Sequence, residues 1–460
     1  SATCNVGVGV LALSSITSGC ENVVMGHKTG HCVTTGKQNT FIGHHSGCLT
    51  STGFSNTAIG TRAMASNTTG NRNVAIGYRA LAANVCCGDN IVIGHQALEQ
   101  APQSKTHIAI GSNVMRSADA GSEYNVGIGG NALYGNTTGG YNIAIGYQSM
   151  FNSTTASNNV ALGFQTLYHG TTYRDNFALG SCTMCCVTGS FNVAIGNSIM
   201  RTASTAEKNI GIGYNVLNAA TTAARDTAIG YQSMMSTTDG SDNVAIGSCS
   251  LRANTTGISN TAIGSAALRD NTTGTRNVAI GFCALRDNTI GQCNVAVGMA
   301  AMMLNTTGST NVAIGKSALQ NNLIGYQNIA IGERSLEDNN GCFNVGIGFL
   351  TLAQNTTGLS NVAIGQRAMS TNTTGQKNVA IGYCSLGYNT SGGCNVAVGH
   401  LSLFCNTTGF FNVALGLCAL RSNITGTRNT AIGSNTLYAN TTGNNNVAIG
   451  TSSLMCNTTG

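Results

Sequence analysis

The sequence predicts an all-β fold, a single parallel β-solenoid (β-roll), and three observations carry that expectation. One repeat of about 17 residues runs through all 460 residues. Each repeat holds two glycines and a β-branched apolar run, a composition that favours short strands and tight turns over helix. A charged helix face is also missing, since only 8% of the residues are charged, against about 25% in an ordinary soluble domain.

The anchor of the repeat is N-V-A-I-G, spelled in full at Asn73–Gly77, Asn192–Gly196, Asn311–Gly315, Asn378–Gly382 and Asn446–Gly450. With relaxed spellings included, its last glycine marks 27 copies from Gly9 to Gly450. The spacing is 17 except for one interval of 18 (Gly111 to Gly129) and two of 16 (Gly180 to Gly196, Gly332 to Gly348). No interval admits an inserted domain, so residues 1–460 are expected to form one continuous repeat domain. The consensus N-V-A-I-G-x-x-A-L-x-x-N-T-T-G-x-x is too short for a helical hairpin repeat, which needs more than about 30 residues. It reads instead as a strand (N-V-A-I), a glycine turn, a second extended piece (A-L) and a T-T-G turn, together one solenoid coil. Coils stacked about 4.8 Å apart would make a rod on the order of 130 Å long.

Composition removes the competing classes. With 61 Gly but one Pro and no three-residue period, collagen is excluded. No stretch approaches the roughly 20 apolar residues of a spanning helix. A hydrophobic fraction of 42% is foreign to disordered chains.

Stacking turns each repeat position into a column, named here by its residue in the coil Asn67–Ala83. The Asn73 column is Asn in 25 of 27 coils, with His107 and Asp226 as exceptions. Asn is a poor strand former, so this uniformity points to an in-register ladder of side-chain amides. The Ile76 column is always aliphatic or Met, and the Leu81 column is Leu or Met except at Gly30 and Gly47. These two columns are the expected core. Eight of the 13 Met residues fall in the second, as packing residues.

In the strand, Val74 and Ile76 point one way, Ala75 and Gly77 the other. Both faces are apolar, whereas a strand with one wet face alternates apolar with polar. One face can fill the coil; the other needs cover. The expected cover is the protein itself, as a homotrimer or an end-to-end or lateral filament. The competing reading is a self-sufficient monomeric solenoid.

The N-[VT]-A-I-G-x-x-A-L unit resembles the head repeat of trimeric autotransporter adhesins, and its N-T-T-G-extended form is similar to repeats in phage and giant-virus fibre proteins. The resemblance covers essentially the whole chain, with a longer and more Cys-rich coil. It implies a left-handed parallel β-roll, trimerisation, and surface attachment, with host-surface glycans or matrix as partners.

Eighteen Cys without paired C-x-x-C motifs point to disulfides rather than zinc. Cys4 and Cys20 lie on adjacent coils, as do Cys32 and Cys48; Cys283 with Cys293 and Cys384 with Cys394 occupy matching places in their own coils. Such pairs predict an oxidising, extracellular setting, on a cell or virion surface. The competing reading is free thiols filling small gaps. Thirteen N-x-[S/T] sequons occur: Asn67, Asn136, Asn152, Asn254, Asn271, Asn305, Asn355, Asn372, Asn389, Asn406, Asn423, Asn440 and Asn457. Twelve share one column, so glycosylation would set a comb of sugars along one edge. Turn chemistry explains the same residues without sugar, through local Asn and Thr side-chain bonds and glycine at positive φ. The chain starts at Ser1 with no visible signal peptide, the expectation for a processed chain or a fragment. Pro102 lies in an irregular coil (Glu99 to Lys105), where a bulge or loop is expected.

An active site needs convergent unusual residues, and the 15 acidic residues scatter over turns. No catalytic residue, cofactor or metal is predicted. His27 and His44 share a column, with His45 and His31 nearby, and read as surface histidines before a metal site. Arg252, Arg269 and Arg286 stack into a basic stripe, read as a solvated edge; no nucleic-acid partner and no membrane span are predicted. The function expected is an extracellular structural or adhesive fibre. The alternative is an ice-binding solenoid using stacked Thr, although adjacent Thr residues point oppositely and only one column would be exposed.

Overall fold

Every coil contributes one short strand, and within each compact unit the strands pair in parallel with those of neighbouring coils. The computed structural model describes every residue except Ser1, Ser104 and Ala120. Among the described residues it contains 27 strands and no helix. The fold is a parallel β-solenoid. Its coils fall into two compact units, Ser1–Asp226 and Thr227–Gly460. The first runs from β1 (Val6–Val8) to β13 (Ile210–Tyr214), the second from β14 (Thr227–Tyr231) to β27 (Val447–Ile449).

Within each unit, pairing keeps the strand positions in register. Val74, Ala75 and Ile76 sit opposite Ile91, Val92 and Ile93. Where the spacing departs from 17, the ladder does not slip: Ile108 still faces Val126, and Phe177 faces Val193. The extra or missing residue is absorbed in the turns. A slip of one would turn each buried strand side chain outward.

The interior differs from the expected one. Ala75 and Leu81 are fully buried, whereas Ile76 is 36% exposed and Val74 half-buried. The core therefore consists of the Ala75, Ala80 and Leu81 columns, and the Ile76 column lies outside. The reason is space. A Leu or Met reaching across a narrow coil leaves room on the strand for little more than a methyl group. Where the strand residue is large, its neighbours shrink: Phe41 replaces Ala where Gly30 and Gly47 replace Leu. Likewise Gly127 faces Val114, and Gly211 faces Ile199.

The A-L segment is not extended. Arg79 and Leu81 adopt the left-handed conformation (φ 54° and 53°), as does Arg72 (φ 54°). Each costs a non-glycine residue on the order of 1 kcal/mol or more. Ladder hydrogen bonds between coils hold them there: Arg79 N–H donates to Thr61 O at 3.0 Å and Leu81 N–H to Ala97 O at 3.0 Å. The marker glycines have no alternative. A Cβ on Gly77 (φ +132°) would lie 2.4 Å from Gly94 O.

Two asparagine ladders run inside. In the first, Asn277 Oδ1 accepts from Asn294 N–H (3.0 Å) and Asn294 Nδ2 (3.2 Å), while Asn277 Nδ2 donates to Asn260 Oδ1 (3.2 Å) and Gly291 O (2.8 Å). The expected amide ladder is present, and both polar atoms of this buried amide are satisfied, as burial demands. The second is the Asn67 column. Asn305 Nδ2 donates to Asn288 Oδ1 (2.8 Å) and to Gly308 O (3.0 Å), and Asn305 Oδ1 accepts from Asn322 (2.9 Å). It is unbroken from Asn254 to Asn457, thirteen consecutive coils of the second unit.

Candidate interaction face

The outward side of the strands is the most distinctive surface of the molecule. Two columns share it, because side chains two apart on a strand point the same way: Val74 and Ile76, with the Tyr78 column just past the marker glycine beside them. Ile280, Ile314 and Ile381 are 38%, 40% and 37% exposed. In the Tyr78 column, Tyr147, Phe164 and Tyr214 of the first unit and Tyr231, Phe282, Met299 and Leu417 of the second are exposed. Most of that column is polar or Gly, including His27, Ser112, Asn197 and Gln366, and Lys316 pairs to Glu333 at 3.4 Å. The Val74 and Ile76 columns, about 6.6 Å apart over 13 or 14 strands spaced about 4.8 Å, give each unit a strip on the order of 400–450 Å². The largest apolar patch of a typical monomer is about 300–600 Å². One partner's share of a stable interface is about 800 Å².

The sequons belong inside. Asn67, Asn136, Asn254, Asn271, Asn305, Asn355, Asn372, Asn389, Asn406, Asn423 and Asn440 are fully buried. In Asn305 and its ladder neighbours, Nδ2, the atom a glycan would occupy, donates hydrogen bonds to the ladder and to the turn glycine. In the folded coil these amides serve a structural ladder, and a sugar on Nδ2 would displace its hydrogen bonds. Only Asn152 and Asn457 are half-buried.

All eighteen cysteines are free thiols in this structure. Cys32 N–H donates to Cys48 O at 2.9 Å, so those two occupy neighbouring coils as expected. Burial, then the nearby Cys32, pushes the Cys48 thiol above its ordinary pKa. Cys4 and Cys20 are exposed and half-buried; Cys283 and Cys384 are buried, and Cys293 and Cys394 half-buried. A close sulfur pair not anticipated from repeat spacing is Cys86 and Cys87, 3.6 Å apart.

Charge is locally compensated. Glu99, 7% exposed, receives Arg79 at 2.8 Å and Arg116 at 3.0 Å. Burial pushes its carboxyl up, but bonds from Arg79 and Arg116 hold it below the usual range. These contacts occupy the coil of Pro102, whose carbonyl still accepts from Val85 N–H at 3.0 Å. Two members of the basic stripe are paired: Arg269 to Asp270 (2.6 Å) and Arg286 to Asp287 (2.5 Å). The first Thr of most T-T pairs is committed too, as in Thr272 Oγ1 to Thr289 O at 3.0 Å. The second Thr column is the more exposed of the two. No helix is long and apolar enough to cross a membrane among the described residues. No family model matches the chain, and no curated protein matches it.

Proposed function

We propose that this protein is a non-enzymatic structural or adhesive fibre component that assembles with copies of itself through the apolar outer face of its strands. The observation that carries this reading is the Val74–Ile76 face, two outward columns that hold only aliphatic residues, Met, Phe or Thr along both units and leave an apolar strip in need of cover. The repeat's resemblance to adhesin heads and viral fibres points the same way. Placement outside the cell, on a cell or virion surface, rests on the cysteine pairs, which would close as disulfides in an oxidising setting. Ice binding is the less favoured reading, because committed Thr hydroxyls leave one exposed column instead of a flat two-column array.

Substitution within the face tests the proposal. Ile314→Lys with Ile381→Lys places two cations in the strip, whereas Thr307→Lys with Thr374→Lys places them on an exposed turn column. Sedimentation should show assembly lost in the first pair and kept in the second. Unchanged assembly in both would remove the strand face from the account.

A further inference from the structure

Three histidines cluster near the start of the chain. His27 and His44 follow the marker glycines of adjacent coils, and their rings stack at 5.2 Å with 12° between planes. His45 adds a third ring, 4.3 Å from His44 and 5.7 Å from His27. Each offers one nitrogen, and the three nitrogens lie within 4.8 Å of one another. Backbone bonds tie the supporting coils together: His45 N–H donates to His27 O at 3.1 Å, and Arg62 N–H to His44 O at 2.9 Å. His27 and His44 are exposed and His45 half-buried, so the rings are open to solvent at one side.

We propose that His27, His44 and His45 form a binding site for a late first-row divalent metal such as Ni²⁺ or Zn²⁺. Imidazole suits these ions, and bonds of about 2.0–2.1 Å require nitrogens no more than about 4.2 Å apart. Small rotations of the exposed rings supply the difference. Three protein ligands leave a position for water or an exogenous ligand, the arrangement of an open site. Lys28 and Arg62 are the charged groups nearest His45. His31 lies outside the set, with its Nδ1 2.5 Å from Ser14 Oγ.

Calorimetric titration of the full chain with Ni²⁺ tests the site. Saturable binding of one ion per chain is expected, weakened at least about tenfold in both His44→Asn and His45→Asn. His95→Asn, which removes another exposed histidine stacked on Tyr78 at 5.3 Å, should bind as the unsubstituted chain does. Absence of saturable binding, or unchanged affinity in His44→Asn and His45→Asn, would overturn the proposal. So would a thiolate-to-nickel charge-transfer band, which would put the ion on cysteine.

Discussion

The ring of Phe41 fills the space in which a side chain on Gly47 would begin: a Cβ there would lie 2.6 Å from Phe41 Cδ2 and Cε2. Gly47 stands in the column that elsewhere carries Leu or Met, and its φ of 54° matches that of Leu81. The backbone is therefore ready for a leucine that the phenylalanine displaces. Phe41→Ala should cost about 3–5 kcal/mol by leaving a cavity. Gly47→Leu alone should cost about 1–3 kcal/mol or more by overpacking. Together they restore the consensus pair and should fall within about 1.5 kcal/mol of the parent. Denaturant unfolding, with hydrogen exchange in Thr40–Ile42 and Thr57–Ile59, reads this coupling; additive losses would show that the two columns do not share one space.

Tyr173 follows the same rule. It is fully buried where the repeat has glycine, its hydroxyl meets Ser153 and donates to Leu167 O at 3.0 Å, and Gly170 takes the place of the ladder Asn.

Asn305 and Thr307 separate ladder from sequon. Thr307→Ala destroys the sequon but removes only an exposed side chain, so stability should move by less than about 0.5 kcal/mol. Asn305→Ala leaves Asn322 Nδ2, Asn288 Oδ1 and Gly308 O each short of a partner and should cost about 2–4 kcal/mol. Equal melting temperatures for the two variants would contradict an internal ladder.

His107 makes the first ladder sensitive to acid. Its N–H donates to Asn90 Oδ1 at 3.0 Å, and its Nδ1 accepts from Asn125 N–H at 3.2 Å, as an Asn Oδ1 would. Burial pushes the imidazole down to about 4, against smaller upward pulls from the backbone of Ser122 and Asn125 and from the Glu123 carboxylate. The folded chain thus binds fewer protons than the unfolded chain, whose histidine titrates near 6.5. Stability is full above about pH 6.5 and falls towards pH 4, by about 3 kcal/mol in all. His107→Asn should flatten the decline between pH 6.5 and 5, above the range in which carboxylates protonate. Denaturant midpoints across that interval measure it, and an unchanged slope would point to other groups.

Period alone made the coil, the register and the first ladder readable in the sequence. Asn73 and its equivalents repeat too faithfully for a poor strand former without a shared bond. The same uniformity from Asn254 to Asn457 was available for the second ladder, but N-T-T-G also spells a sequon and a turn, and those readings masked it. Alternation placed Ala75 and Ile76 on opposite faces without saying which was inside. The clue was the paired exchange of Phe41 with Gly30 and Gly47, since columns that trade volume must touch. Nothing in the residue type of Leu81 signals positive φ, so the A-L segment read as extended. The histidine cluster depends on ring directions at His45 that repeat spacing does not convey.

The proposed assembly covers the strip formed by the Val74 and Ile76 columns with other copies of the chain. Analytical ultracentrifugation at micromolar concentration tests it most directly. The account predicts species at multiples of the 46.9 kDa chain, with a trimer or longer assemblies dominant. A single monomeric species would contradict it.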